Sequence, residues 1–216
     1  MTDRRVPDPP DPFDPLWEPL PTGTRIFRVH EPRLPDGTVD DGRRFNPGFG
    51  SALRWSFFGD PPMPVHYSAA TPEAAVHESV LHDAVPHAHL PRSRWIQKVL
   101  TPLAGKRTLN LAQLHSDGLR RFDLHPRDLT DTDSDQYLFT VEWAHAAHAA
   151  GADGVVWMSR KLNSVRAYCL FADRVAAADL TPLPDDPDSR IFATPADSEW
   201  LYDIALRMRV TVRPTA

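Results

Sequence analysis

One cysteine, Cys169, occurs in 216 residues. This excludes an internal disulfide and a cysteine-based zinc site, and makes a reducing cytoplasm the default compartment. Positive charge is not in excess: 24 Lys and Arg face 29 Asp and Glu, a net charge of -5. No global basic field draws the chain to nucleic acid or anionic lipid, so direct binding to either is not expected. No apolar run approaches the roughly 20 residues that a membrane-spanning helix needs. The charged N-terminus lacks a following apolar segment and does not read as a secretory signal. Glycine-rich phosphate loops of the Gly-x-Gly-x-x-Gly or P-loop kind are missing, which argues against a Rossmann dehydrogenase or an NTPase. No Gly-x-Ser-x-Gly elbow surrounds Ser159, so that serine is not read as a nucleophile. His77 and His82 stand five apart, one more than a zinc-hydrolase helix requires. No metal site is expected.

What is present describes a globular chain: 41% hydrophobic residues with mixed charge, enough for one core. Proline is abundant, at 23 residues, and seven of them fall in residues 1–21. Proline fixes φ and removes amide donors, so residues 1–21 read as an extended, poorly ordered tail, either a dispensable leader or a partner-binding arm. Residues 22–216 read as one domain. Thr24–His30 alternates as a strand and Val65–Ala69 as a shorter one. Thr71-Pro72-Glu73 is a helix start, with a Thr cap, Pro at the first turn and an acid behind it. That helix is expected to run to about Asp83. Trp95–Leu103 and Arg107–Leu111 read as strands, Tyr137–Ala150 as a helix ended by Gly151, and Gly154–Met158 as a buried strand. Ala167–Phe171 is a further strand and Glu199–Arg209 a terminal amphipathic helix. Without a regular βαβ rhythm these elements imply an α+β fold, a single domain with a mixed sheet flanked by helices.

Several polar residues fall at places where chemistry can be done. Glu78 follows Ala74 and Ala75 by one turn and precedes Leu81, so its helix face is small or apolar. A carboxylate there is either part-buried and in need of a partner, or an ordinary surface glutamate. Arg28 lies inside a strand, and either faces a core with an anionic partner or sits at an edge in water. Arg43 and Arg44 occupy a loop punctuated by glycine and proline, where guanidinium groups can fork onto phosphates or simply remain solvated. The Tyr67 ring can stack on a flat heteroaromatic group with its hydroxyl left wet, or serve the core. Ser159 and Arg160 follow a buried strand, at the sheet edge where ligands commonly bind. Arginines with one carboxylate suit a ligand that carries phosphates and a reacting centre that becomes positive.

The order of these pieces resembles the RES-domain family. The resemblance covers Thr24 to Arg174. It rests on Phe27-Arg28-Val29, Gly42-Arg43-Arg44-Phe45-Asn46, Tyr67-Ser68-Ala69, Thr71-Pro72-Glu73-Ala74-Ala75 through Glu78, and Asp153 through Arg160. It implies a fold like that of ADP-ribosyltransferases and a bacterial toxin paired with an Xre-family antitoxin. Its implied activity is NAD+ degradation at the nicotinamide–ribose bond, by hydrolysis or phosphorolysis. No resident cofactor follows: NAD+ is substrate and inorganic phosphate a co-substrate. By the same resemblance Arg28 and Arg44 hold phosphates, Tyr67 packs near the nicotinamide ribose, Glu78 steadies the reacting ribose and Ser159 holds a ligand group. Arg43 is the alternative to Arg44, and Ser164 or Arg166 to Ser159. ADP-ribose transfer to a protein, and a non-catalytic binding module with a degraded site, are the rival functions. The tail and the terminal helix, through Trp200, Leu201, Ile204 and Met208, are candidate partner surfaces. A homo-oligomer is also compatible.

Overall fold

The computed structural model describes residues 5–212. In chain order its strands are β1 (Trp17–Leu20), β2 (Arg25–His30), β3 (Val65–Ala69), β4 (His89–Leu90), β5 (Val99–Gly105) and β6 (Leu109–Gln113). They continue with β7 (Gly154–Met158), β8 (Arg166–Phe171), β9 (Leu180–Pro182), β10 (Arg190–Ile191) and β11 (Thr211–Val212). The helices are α1 (Pro72–His77), α2 (Ser116–Arg121), α3 (Pro126–Leu129), α4 (Tyr137–Ala149) and α5 (Pro195–Arg207). The main sheet runs β1-β6-β7-β8-β3-β2-β5-β10, with β9 also on β5. Only β6 and β7 pair in parallel within it among the described residues. The sheet is mixed and helices cover it, an α+β architecture.

Alternation along the central strands builds the two faces. In β8, Ala167, Cys169 and Phe171 join the core under α4, while Tyr168 and Leu170 join the opposite one. Successive strand residues point to opposite faces, so one strand serves both cores. Trp143, Ala144 and Ala147 of α4 fill the first core with Trp55 and Trp157. A separate cluster joins Val76 of α1 and Leu201 and Ile204 of α5 to Phe27, Trp95 and Phe192. The α5 residues expected as a partner surface therefore serve this chain's own core: Leu201 and Ile204 are buried, and Trp200 and Met208 pack against the same cluster.

Two expectations need correction. Residues 5–21 are not a loose leader. Val6 is buried, the Trp143 indole N–H donates to the Pro7 carbonyl at 2.8 Å, and Phe13 stacks on Phe122 at 5.0 Å. Trp17 to Leu20 then pair antiparallel with Ala112 to Leu109 at the sheet edge. Prolines tolerate this course because an edge strand can leave their missing donors unpaired. The rest of that stretch, residues 1–4, lies outside the described residues. The helix α1 also ends early, at His77 rather than near Asp83. The Ser79 hydroxyl donates back to the Ala75 carbonyl at 2.5 Å, and the Leu81 amide reaches Val76 five residues back. Both compete with the regular ladder, and the chain goes on in turns.

Candidate active site

Glu78 is the C-cap of α1, a part-buried position where backbone carbonyls crowd negative charge together. A carboxylate there needs donors. The buried Ser159, which directly follows β7, gives one: its hydroxyl donates to Glu78 Oε1 at 2.6 Å. Ser159 is itself fixed by backbone bonds, its amide to Val165 at 2.8 Å and its carbonyl from Asn163 at 2.6 Å. Ser159 thus acts behind Glu78.

Glu78 faces a cavity of about 640 Å3. Arg28, Arg54, Tyr67, Tyr137, Trp157 and Arg160 are among its walls. Ligand pockets for small molecules span roughly 300–1,000 Å3. Strand β2 carries Arg28 inward. Its guanidinium donates to the carbonyls of Gly42 (2.9 Å) and Arg44, so the loop before β3 holds it without a carboxylate. Buried His66 donates to the same Gly42 carbonyl at 2.9 Å. Gly42 is required there, with φ of +93° and Thr101 only 3.1 Å from where a Cβ would be. Burial, against the attraction of Asp40, brings the Arg28 pKa down to about 10. The group remains cationic at pH 7.

The loop arginines behave differently from one another. Arg43 is closed onto Asp41 through hydrogen bonds of 2.7, 3.0 and 3.1 Å and does not line the cavity. Arg44 does not line it either, but its carbonyl orients Arg28. The Tyr67 ring forms a wall, edge-on to Trp157. Its hydroxyl is not wet as expected: it accepts from the Trp55 amide at 3.0 Å and donates to Ser56 at 3.3 Å. Burial pushes its pKa well up, and the group stays neutral. Arg160 reaches the rim with its charge engaged by Asp131 (2.8 Å) and Asp133 (2.9 Å). Ser164 and Arg166 lie elsewhere. The former caps its own turn on Leu162, and the latter pairs with Glu18.

No pattern in the sequence singles out Arg54. This buried guanidinium donates to Leu129 O at 3.1 Å, Thr132 Oγ1 at 2.5 Å and Thr132 O at 3.0 Å. It lies 5.0 Å from the centre of the Tyr137 ring. Burial lowers its pKa, while Tyr137 and Glu78 pull it back up. Neutral acceptors offset only part of the cost of burying this charge, and the attraction of Glu78 offsets more of it. Its segment, Leu53-Arg54-Trp55-Ser56, lacks the periodicity that would have flagged it.

Comparison with known proteins bears on this arrangement. A model of the RES domain matches residues 22–194, four-fifths of the chain. The chain belongs to the RES-domain family. The RES match runs from just before β2 to the turn before α5, and contains every residue of the cavity just described. A comparison with curated proteins found no match. Among solved structures, a chain of the crystal structure of the M. tuberculosis MbcT–MbcA toxin–antitoxin complex is similar, with 16% identity and a TM-score of 0.48. That similarity covers 76% of this chain and 84% of the other.

Proposed function

We propose that this RES domain cleaves NAD+ at the nicotinamide–ribose bond. One observation carries the reading: a carboxylate, Glu78, is held by Ser159 in a cavity that the part-buried Arg28 and the buried Arg54 also line. The diphosphate would lie against the arginines and the nicotinamide ribose against Glu78. Arg54 takes the part that the family resemblance implied for Arg44, or for Arg43 in its place.

As the bond breaks, its electron pair goes to the nicotinamide nitrogen and positive charge grows on the ribose. The Glu78 carboxylate, oriented by Ser159 at its part-buried position, stabilises that charge with little reorganisation. The arginines hold the diphosphate so that the ribose carbon meets its nucleophile in line. Water gives ADP-ribose, nicotinamide and a proton. Inorganic phosphate in place of water gives the phosphorylated sugar. In a cell such an activity stops growth, and the toxin of a toxin–antitoxin pair is the corresponding role, with an Xre-family antitoxin as partner.

The test is loss of NAD+ by the purified chain, with and without phosphate, with products identified by mass spectrometry. Glu78→Gln keeps the size of the side chain and the Ser159 contact, and should lower turnover about 10²–10³-fold with unchanged thermal stability. Turnover at the wild-type rate removes Glu78 from the mechanism, and no NAD+ loss by the wild type removes the reading.

A further inference from the structure

A second cavity, of about 360 Å3, is left unused by this reading. It opens beyond the carboxyl ends of β6 and β7, the parallel pair, where α/β sheets place their ligands. His115 and Ser116 line it after β6, with Met158 at the end of β7 and Arg160 and Asn163 beyond it. Ser116 (φ +47°) and Asn163 (φ +50°) both hold left-handed backbone. Such strain in residues other than glycine gathers at functional sites.

Ser116 stands where β6 turns into α2. The turn is tight enough that a Cβ on Gly118 would lie 2.0 Å from the Gln113 carbonyl oxygen. A strand-to-helix turn of this kind lifts a side chain clear of the sheet, and Ser116 is exposed. Behind it runs a chain of hydrogen bonds. Ser116 Oγ is 3.1 Å from His115 Nδ1, and His115 Nε2 is 2.8 Å from Glu18 Oε2. The other Glu18 oxygen accepts from Arg166, so both carboxylate oxygens face donors. His115 therefore carries its proton on Nε2 and accepts the Ser116 proton at Nδ1. Burial lowers the His115 pKa, against the pull of Glu18, so the ring is neutral and able to take a proton.

We propose that Ser116 is a base-activated nucleophile and that the second cavity takes a small carboxylic ester. Ser116 Oγ bonds to the acyl carbon as its proton passes to His115 Nδ1. The bond to the leaving alkoxide then breaks, and the departing alcohol takes that proton. Water hydrolyses the acyl-serine by the same route, releasing the acid and restoring Ser116. Arg120 lines the same cavity and puts positive charge near the developing oxyanion. Glu18 is a positioning residue: it holds the ring and stabilises the imidazolium. Leu119, Leu124 and Met158 give the acyl group an apolar wall.

The experiment treats the full chain with a fluorophosphonate probe and maps the adduct by peptide mass spectrometry, with p-nitrophenyl acetate hydrolysis in parallel. One adduct on Ser116 is expected, absent from Ser116→Ala together with the ester hydrolysis. His115→Asn should label at least tenfold more slowly, and Glu18→Gln should displace the pH profile of labelling. An unlabelled wild type, an adduct on another residue, or labelling of His115→Asn at the wild-type rate overturns the proposal. Ser116→Ala changes an exposed side chain and decides the matter even where His115→Asn fails to fold. None of these readouts depends on NAD+.

Discussion

Arg28 and Arg54 show how a single guanidinium can be prepared for an anion. Neither is closed by a carboxylate, and both are oriented by carbonyl or hydroxyl oxygens of neighbouring segments. The contrast is Arg43, whose fork is already filled by Asp41. Orientation by neutral acceptors leaves the positive charge available, and burial strengthens its field. Arg54→Lys retains charge but loses the planar fork that spans Leu129 and Thr132. It should weaken NAD+ binding about tenfold, close to 1.4 kcal/mol. It should also lower stability by about 1–3 kcal/mol, as buried acceptors are left unpaired. Calorimetry and a denaturant melt measure the two effects. If both are unchanged, Arg54 belongs neither to the site nor to its scaffold.

Elements differ in how plainly the sequence declares them. Val65–Ala69 and Gly154–Met158 were readable to the residue, because turn residues bound a run that both faces of a sheet bury. The start of α1 was readable for a local reason too: the Thr71 hydroxyl accepts from the Ala74 amide at 3.2 Å. Its end was not, because a serine hydroxyl and a five-residue return decide it. The N-terminal stretch misled by its prolines, whereas Val6, Phe13 and Leu20 anchor its course in the core. Glu78 was legible as a helix carboxylate, yet its partner Ser159 lies 81 residues away. Arg54 meets acceptors 75 and 78 residues on, which no local pattern reports. The N-terminal contacts can be tested at this scale. Phe13→Ala removes a ring stacked on Phe122 and edge-on to Trp143, and should cost about 2 kcal/mol from lost apolar burial. A poorly ordered leader would show no change in the denaturant midpoint.

The molecule as a whole stores a dependence on acid. His30, His66, His77 and His115 are all buried, and burial is the leading cause that lowers the pKa of each. His66 is pushed furthest, with Arg28 adding to the effect of burial. In the unfolded chain these rings take up protons as pH falls through about 6.5. The folded chain resists until its lower values are reached, so within that window the unfolded state binds more protons. Stability then rises with pH across the window, and is lost progressively as pH drops below about 6.5. Each histidine adds a slope of up to about 1.4 kcal/mol per pH unit. Carboxylates that are ion-paired in the fold add their own loss at lower pH, which separates the two contributions along the axis. Urea unfolding at a series of pH values from 8 to 5 gives the slope directly. His66→Gln keeps a donor for the Gly42 carbonyl but cannot titrate. It should flatten the curve between pH 6.5 and 5 while leaving the fold at pH 8 intact. A variant curve parallel to the wild type would mean that His66 is protonated in the folded protein, and that the Gly42 loop holding Arg28 does not rest on a neutral ring.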